Sequence, residues 1–172
     1  MRQVKMMSFG GLHMKLLASF LLLLLAATAA LADSDLQIQH AWVRATVPGQ
    51  MASGAFMRVT SPTDQRLISV QSPLGIAQIH QMSIDQGVMR MKALPQGLPL
   101  PAGQAIDLKP GGYHIMLLDL KTALSPGQKV PLTLQIQDPS GRRKSVALEV
   151  PILKEAPPGA PTSTATGTHR HP

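Results

Sequence analysis

The chain contains no cysteine. No disulfide can staple it, and no thiolate is available as a nucleophile or a metal ligand. Any metal it holds must rest on histidine, methionine or carboxylate. Aromatic residues are nearly absent too: one tryptophan, one tyrosine and three phenylalanines in 172 residues. A surface that stacks unpaired bases needs more than that, so the formal charge of +7 does not mark a nucleic-acid binder. The one short basic cluster, Arg142-Arg-Lys144, reads as a solvated turn. No Gly-x-Ser-x-Gly occurs and no serine has a clear His/Asp partner, which leaves a hydrolytic triad without support. Helical periodicity is missing as well. Residues 121–124 are too few, Ser125-Pro126 stops them, and no internal repeat is evident.

The first 32 residues stand apart. Arg2, Lys5 and Lys15 precede an apolar run over residues 16–25, and Ala30-Leu-Ala32 supplies a small-x-small cleavage signal. This predicts a secretory signal peptide over 1–32, cut after Ala32, and export from the cytoplasm. The rival reading, a retained membrane anchor, has only a marginal apolar length. The remaining 140 residues carry 13 basic and 9 acidic side chains. They suffice for one domain with a real core.

That domain, expected over 33–154, reads as short strands between turns. Leu36-Gln-Ile-Gln-His-Ala-Trp42 alternates, which would put Leu36, Ile38, His40 and Trp42 on one face. Residues 52–60 form a second strand, with Gly54 as a candidate bulge. Residues 66–71 form a third. Residues 77–84 and 88–93 make a hairpin through Asp85-Gln-Gly87. Residues 94–104 are rich in Pro and Gly and read as a loop that tacks down Leu98 and Leu100. Residues 105–108, 113–120, 130–136 and 146–150 follow, separated by Pro110-Gly-Gly112, Ser125-Pro-Gly127 and Asp138-Pro-Ser-Gly141. Eight or nine short strands at this spacing predict an all-β sandwich or barrel. Residues 155–172 lack apolar periodicity and are expected to be a disordered tail.

Within this pattern two clusters bear chemistry. One is His80-Gln-Met82 with Met89-Arg-Met91; the other is His114-Ile-Met116. Strand parity gives His114 and Met116 one face, His80 and Met82 one face, and Met89 and Met91 one face. One His and one Met from each cluster would make a four-coordinate N/S site. Such a donor set suits soft Cu(I), whereas zinc prefers thiolate, imidazole and carboxylate. Without cysteine a blue-copper site is excluded. Parity does not choose among Met82, Met89 and Met91, and methionine is also ordinary core filler.

Residues 41–151 resemble the periplasmic copper chaperone family PCu(A)C. The matching segments are Ala41-Trp-Val-Arg-Ala-Thr46, Pro48-Gly-Gln50, Ile79-His-Gln-Met82, Gly87-Val-Met-Arg-Met91 and Leu108-Lys-Pro-Gly-Gly-Tyr-His-Ile-Met-Leu117. Ten residues separate His80 from Met91 and 22 separate Met91 from His114. The second gap is one residue longer than the family's usual spacing, an insertion that would fall in the 94–104 loop. The resemblance implies a cupredoxin-like Greek-key sandwich. It implies Cu(I) ligands His80, Met91, His114 and Met116, with Met82 and Met89 as neighbours. It also implies delivery of copper by ligand exchange to the copper-accepting subunit of cytochrome c oxidase, in company with a thioredoxin-like copper protein.

On this reading the chain is a monomeric binding module and not an enzyme, without membrane contact after cleavage. Two alternatives stand beside it: a copper-dependent redox enzyme, and a structural β-sandwich with no metal. His169 and His171 near the C-terminus read as incidental residues of a disordered tail, or as a weak Cu(II) capture site. Arg44 and Arg90 are candidates for steering an acidic partner.

Overall fold

The structure is a computed structural model that describes residues 36–162. The expected signal peptide and the tail histidines His169 and His171 lie outside the described residues. Ten strands form: β1 (Gln37–Arg44), β2 (Ser53–Thr60), β3 (Gln65–Gln71), β4 (Ile76–Asp85), β5 (Val88–Ala93), β6 (Leu98–Leu100), β7 (Ala105–Leu108), β8 (Tyr113–Leu118), β9 (Lys129–Gln137) and β10 (Arg143–Leu153). They hydrogen-bond in the order β5-β4-β8-β7-β2-β1-β10-β9-β3-β6, with β8 also reaching β2. The all-β expectation is met, and no helix occurs among the described residues.

The sheet curls over one core. Leu67, Leu134 and Val150 pack in the same apolar cluster as Met57, Ile79 and Leu117 from the other half of the sheet. The cause is plainest in β9. Val130, Leu132, Leu134 and Ile136 are all buried and the residues between them are not, the period-two pattern of a strand with one face in the core. The short parallel pairing of β1 with β10, Val43 to Ile152 and Arg44 to Leu153, joins the two halves. Across β2 and β7 the directly opposed Arg58 and Asp107 form a two-pronged ion pair at 2.7 and 3.0 Å.

Four expectations need correction. The strand count among the described residues is ten, because Leu98–Leu100 pairs with β3 instead of lying in a loop; two buried leucines anchor it. His40 does not share a face with Trp42. On β1, Gln39 faces Arg58 and Trp42 faces Phe56, so two residues oppose one and a bulge intervenes. His40 takes a positive φ of 51° there and its side chain turns outward, while Trp42 and Val43 are both buried. The irregularity expected at Gly54 therefore sits on the facing strand. Finally, the chain stays packed past residue 154. Pro161 is buried, and a Cβ on Gly159 would lie 2.9 Å from the His40 ring.

Candidate metal centre

The β4–β5 hairpin closes through Gln86 and Gly87, both at positive φ (51° and 79°), with Asp85 opposite Val88. Two such residues make the turn whose twist matches the strands it joins. Arg90 reaches back to Asp85 at 3.1 Å. This turn sets the register: His80 faces Ala93, Met82 faces Met91, and Ile84 faces Met89. On the other side of β4, His80 faces His114 and Gln78 faces Met116. Alternation then gathers Gln78, His80 and Met82 from β4, Met89 and Met91 from β5, and His114 and Met116 from β8 on one face.

The turn at Pro110-Gly111 orients the histidine. Proline precedes a glycine at φ 79°, and the Gly112 N–H donates to the Lys109 carbonyl at 3.1 Å, as in a type II turn. The Gly112 carbonyl then accepts twice: from the Met82 N–H at 3.0 Å and from His114 Nδ1 at 2.9 Å. A carbonyl only accepts, so Nδ1 carries the proton and Nε2 keeps its lone pair. His80 is held the other way round. Its Nε2 donates to Gln78 Oε1 at 3.0 Å, and its Nδ1 is buried without a partner among the described residues. An orphaned buried acceptor costs about 1–3 kcal/mol, and a ligand that takes the lone pair removes that cost.

The two imidazoles meet edge-on with centroids 6.0 Å apart, and His114 is only 4% exposed. In front of them opens a cleft of about 360 Å³, lined by Met82, Met91, His114 and Met116 together with Gly54 and Phe56. His80 joins this group through His114 and does not itself line the cleft. Gly54 faces Met116 across β2 and β8, and a Cβ there would stand 2.6 Å from the Phe56 ring. The glycine leaves that space to Phe56, which lies 6.4 Å from His114 and 4.8 Å from Trp42. Arg44, also on the cleft, holds its guanidinium 5.7 and 5.8 Å from the Trp42 and Phe56 ring centres. Among the described residues no carboxylate lines the cleft, so hard, oxygen-seeking cations find little there. Two imidazoles and the thioethers of Met91 and Met116 make a soft donor set, with Met82 beside them.

Burial, and then the neighbouring His114, push the His80 pKa below its ordinary 6.5. On acidification the unfolded chain protonates His80 first, so stability should fall as pH drops through about 6.5 and level off below the lowered native value. Urea midpoints across this range are expected to show the slope in the native sequence and to lose it in His80→Gln. An unchanged slope would place the titration elsewhere.

The chain matches the family model for LpqE-like proteins, described as "Putative lipoprotein LpqE-like", over residues 36–152. The chain belongs to the LpqE-like family. A family relative in Leifsonia xyli subsp. xyli (strain CTCB07), named "Putative lipoprotein Lxx21020", is 34% identical over 126 residues, covering 73% of this chain and 75% of the relative. Among solved structures, the copper-bound PCuAC domain from PmoF2 is 25% identical with a TM-score of 0.53, covering 71% of this chain and 93% of that domain. The solution structure of CuI-DR1885 from Deinococcus radiodurans is 30% identical with a TM-score of 0.52, covering 73% of this chain and 85% of that one. The fold of this LpqE-like chain is thus the cupredoxin-like β-fold of PCuAC domains, as the sequence resemblance implied. The lipoprotein wording belongs to the relatives; these 172 residues contain no cysteine thiol for a lipid.

The four ligands that the resemblance implies, His80, Met91, His114 and Met116, stand on one face of the sheet, with Met82 and Met89 beside them. Sequence reasoning missed Gln78, the Gly112 carbonyl and the space left by Gly54. Gln78 could have been found, since it stands two residues before His80 on a strand. The other two emerge only from which strands become neighbours. Of the arginines, Arg90 is engaged by Asp85, and Arg44 stands at the cleft.

Proposed function

We propose that the protein is an exported, periplasmic Cu(I) chaperone that holds one ion with His80, Met91, His114 and Met116. It surrenders that ion by ligand exchange to the copper-accepting subunit of cytochrome c oxidase, alone or with a thioredoxin-like copper protein. The observation that carries this reading is the soft face itself: among the described residues, two imidazoles each have one nitrogen engaged by a neighbour and the other free, beside thioethers in an open cleft that no carboxylate lines. The copper named for the PmoF2 domain and for DR1885 supports the choice of metal.

Every donor is neutral, so Cu(I) arrives and leaves without moving a proton. Met91 is 48% exposed, whereas His114 is almost wholly covered. Met91 is therefore the ligand an incoming thiolate displaces first, and thiolate is the better soft donor. No bond to carbon changes and no electron is transferred, which makes the protein a binding module.

Anaerobic titration of the protein with Cu(I) is expected to saturate near one equivalent. Ligand present at 100 times Kd should add about 2.7 kcal/mol of stability and raise the thermal midpoint. Mixing the loaded form with the apo copper-accepting domain of the oxidase should move the copper across. Equal midpoints for apo and loaded protein would favour the metal-free structural module. Copper that stays put before the acceptor would refute delivery to the oxidase, and turnover of superoxide or oxygen would favour the enzyme.

A further inference from the structure

The outer arm of the β4–β5 hairpin holds more sulfur than a four-ligand site needs. The Met82 N–H is spent on Gly112, on the β8 side of β4, so Met82 and Met91 form a non-hydrogen-bonded pair in the β4–β5 ladder. In such pairs the Cα atoms approach to about 4.5 Å and the side chains are closest. Met89 is the diagonal neighbour of Met82, about 7–8 Å away and within reach of a long side chain. The β8 register ends at Gln81, and past the Met82–Gly112 hydrogen bond no described strand pairs with β4 on that side, leaving β5 as its neighbour there. Met89 is 69% and Met91 48% exposed. A core methionine fills space; Met89 fills none.

Resting on the copper reading above, we propose that Met82, Met89 and Met91 form a second, weaker station for a soft monovalent cation, built of thioethers alone. Met91 is common to both stations. An ion leaves the histidines by exchanging imidazole for thioether while Met91 keeps hold of it, and it enters by the reverse. The apolar neighbour on this face is Ile84, and the charges of Arg90 and Lys92 fall on the opposite face by alternation. Nothing here serves a hard cation. The thioether is flexible and polarizable, which suits a loose relay position.

The test is methionine methyl NMR of the protein labelled at Cε, with Ag(I) as a redox-inert soft probe and signals assigned from single Met→Leu variants. The first equivalent should move Met91 and Met116. The second should move Met82 and Met89, and Met91 again. In the Met82→Leu/Met89→Leu variant the second phase should vanish and the first persist. Leucine keeps the apolar surface and removes the sulfur, so this variant separates metal binding from mere apolar docking. Saturation of the native sequence at one equivalent, or a second phase that survives both replacements, overturns the proposal. A titration in which Met116 never moves overturns the primary site, and this station with it.

Discussion

A His114→Ala/Met116→Leu variant is expected to lose Cu(I) affinity by more than 100-fold while remaining folded. Losing a partner that merely orients a ligand costs roughly 10- to 100-fold, and this variant removes two donors outright. One of them is the imidazole whose Nε2 lone pair the Gly112 carbonyl fixes. Met116→Leu nearly conserves volume and should cost little stability. His114→Ala leaves a gap, but the Gly112 carbonyl keeps the Met82 N–H and is not orphaned. Competition against a Cu(I) chelator measures the loss, and circular dichroism checks the fold. Unchanged affinity would place the copper elsewhere and end the proposed function.

Leu134→Ala should do the reverse. Leu134 is fully buried at the centre of β9, opposite Val70 on β3 and Val146 on β10. A leucine removed from such a place costs about 2–5 kcal/mol, the lost transfer energy plus the cavity left behind. That is a large part of the roughly 5–15 kcal/mol that holds a domain together. The urea midpoint should drop with the slope unchanged. The remaining folded fraction should still bind one Cu(I), because β9 supplies none of the proposed ligands. A loss well under 1 kcal/mol would mean that the core closes over the gap. Together the two variants separate what holds the sheet from what holds the metal.

Most of the fold was legible because its signals are local. The alternation of Val130, Leu132, Leu134 and Ile136 names a strand with one buried face, and Gln86-Gly87 marks a hairpin. What escaped was long-range. The bulge at His40 follows from pairing with β2, which no window of β1 reveals. Leu98–Leu100 becomes a strand only because β3 lies open beside it. The site was half legible for the same reason. Parity placed His114 with Met116 and His80 with Met82, but that His80 faces His114 is a matter of register between strands 34 residues apart. Parity also left Met82 and Met91 undecided, and the structure shows why: they are direct cross-strand partners on one face.

Among the described residues the strand order leaves two free ends, β5 and β6. An unpaired edge is a template on which another chain can add a strand, and stacks of such additions are how β-proteins aggregate. Each edge here carries a deterrent. β6 is three residues long with Pro99 at its centre, which removes a backbone donor from the row. β5 bears Arg90 and Lys92, whose like charges meet their counterparts on any second copy that approaches in register. Both devices disfavour the addition of a second copy edge to edge beside the methionine face.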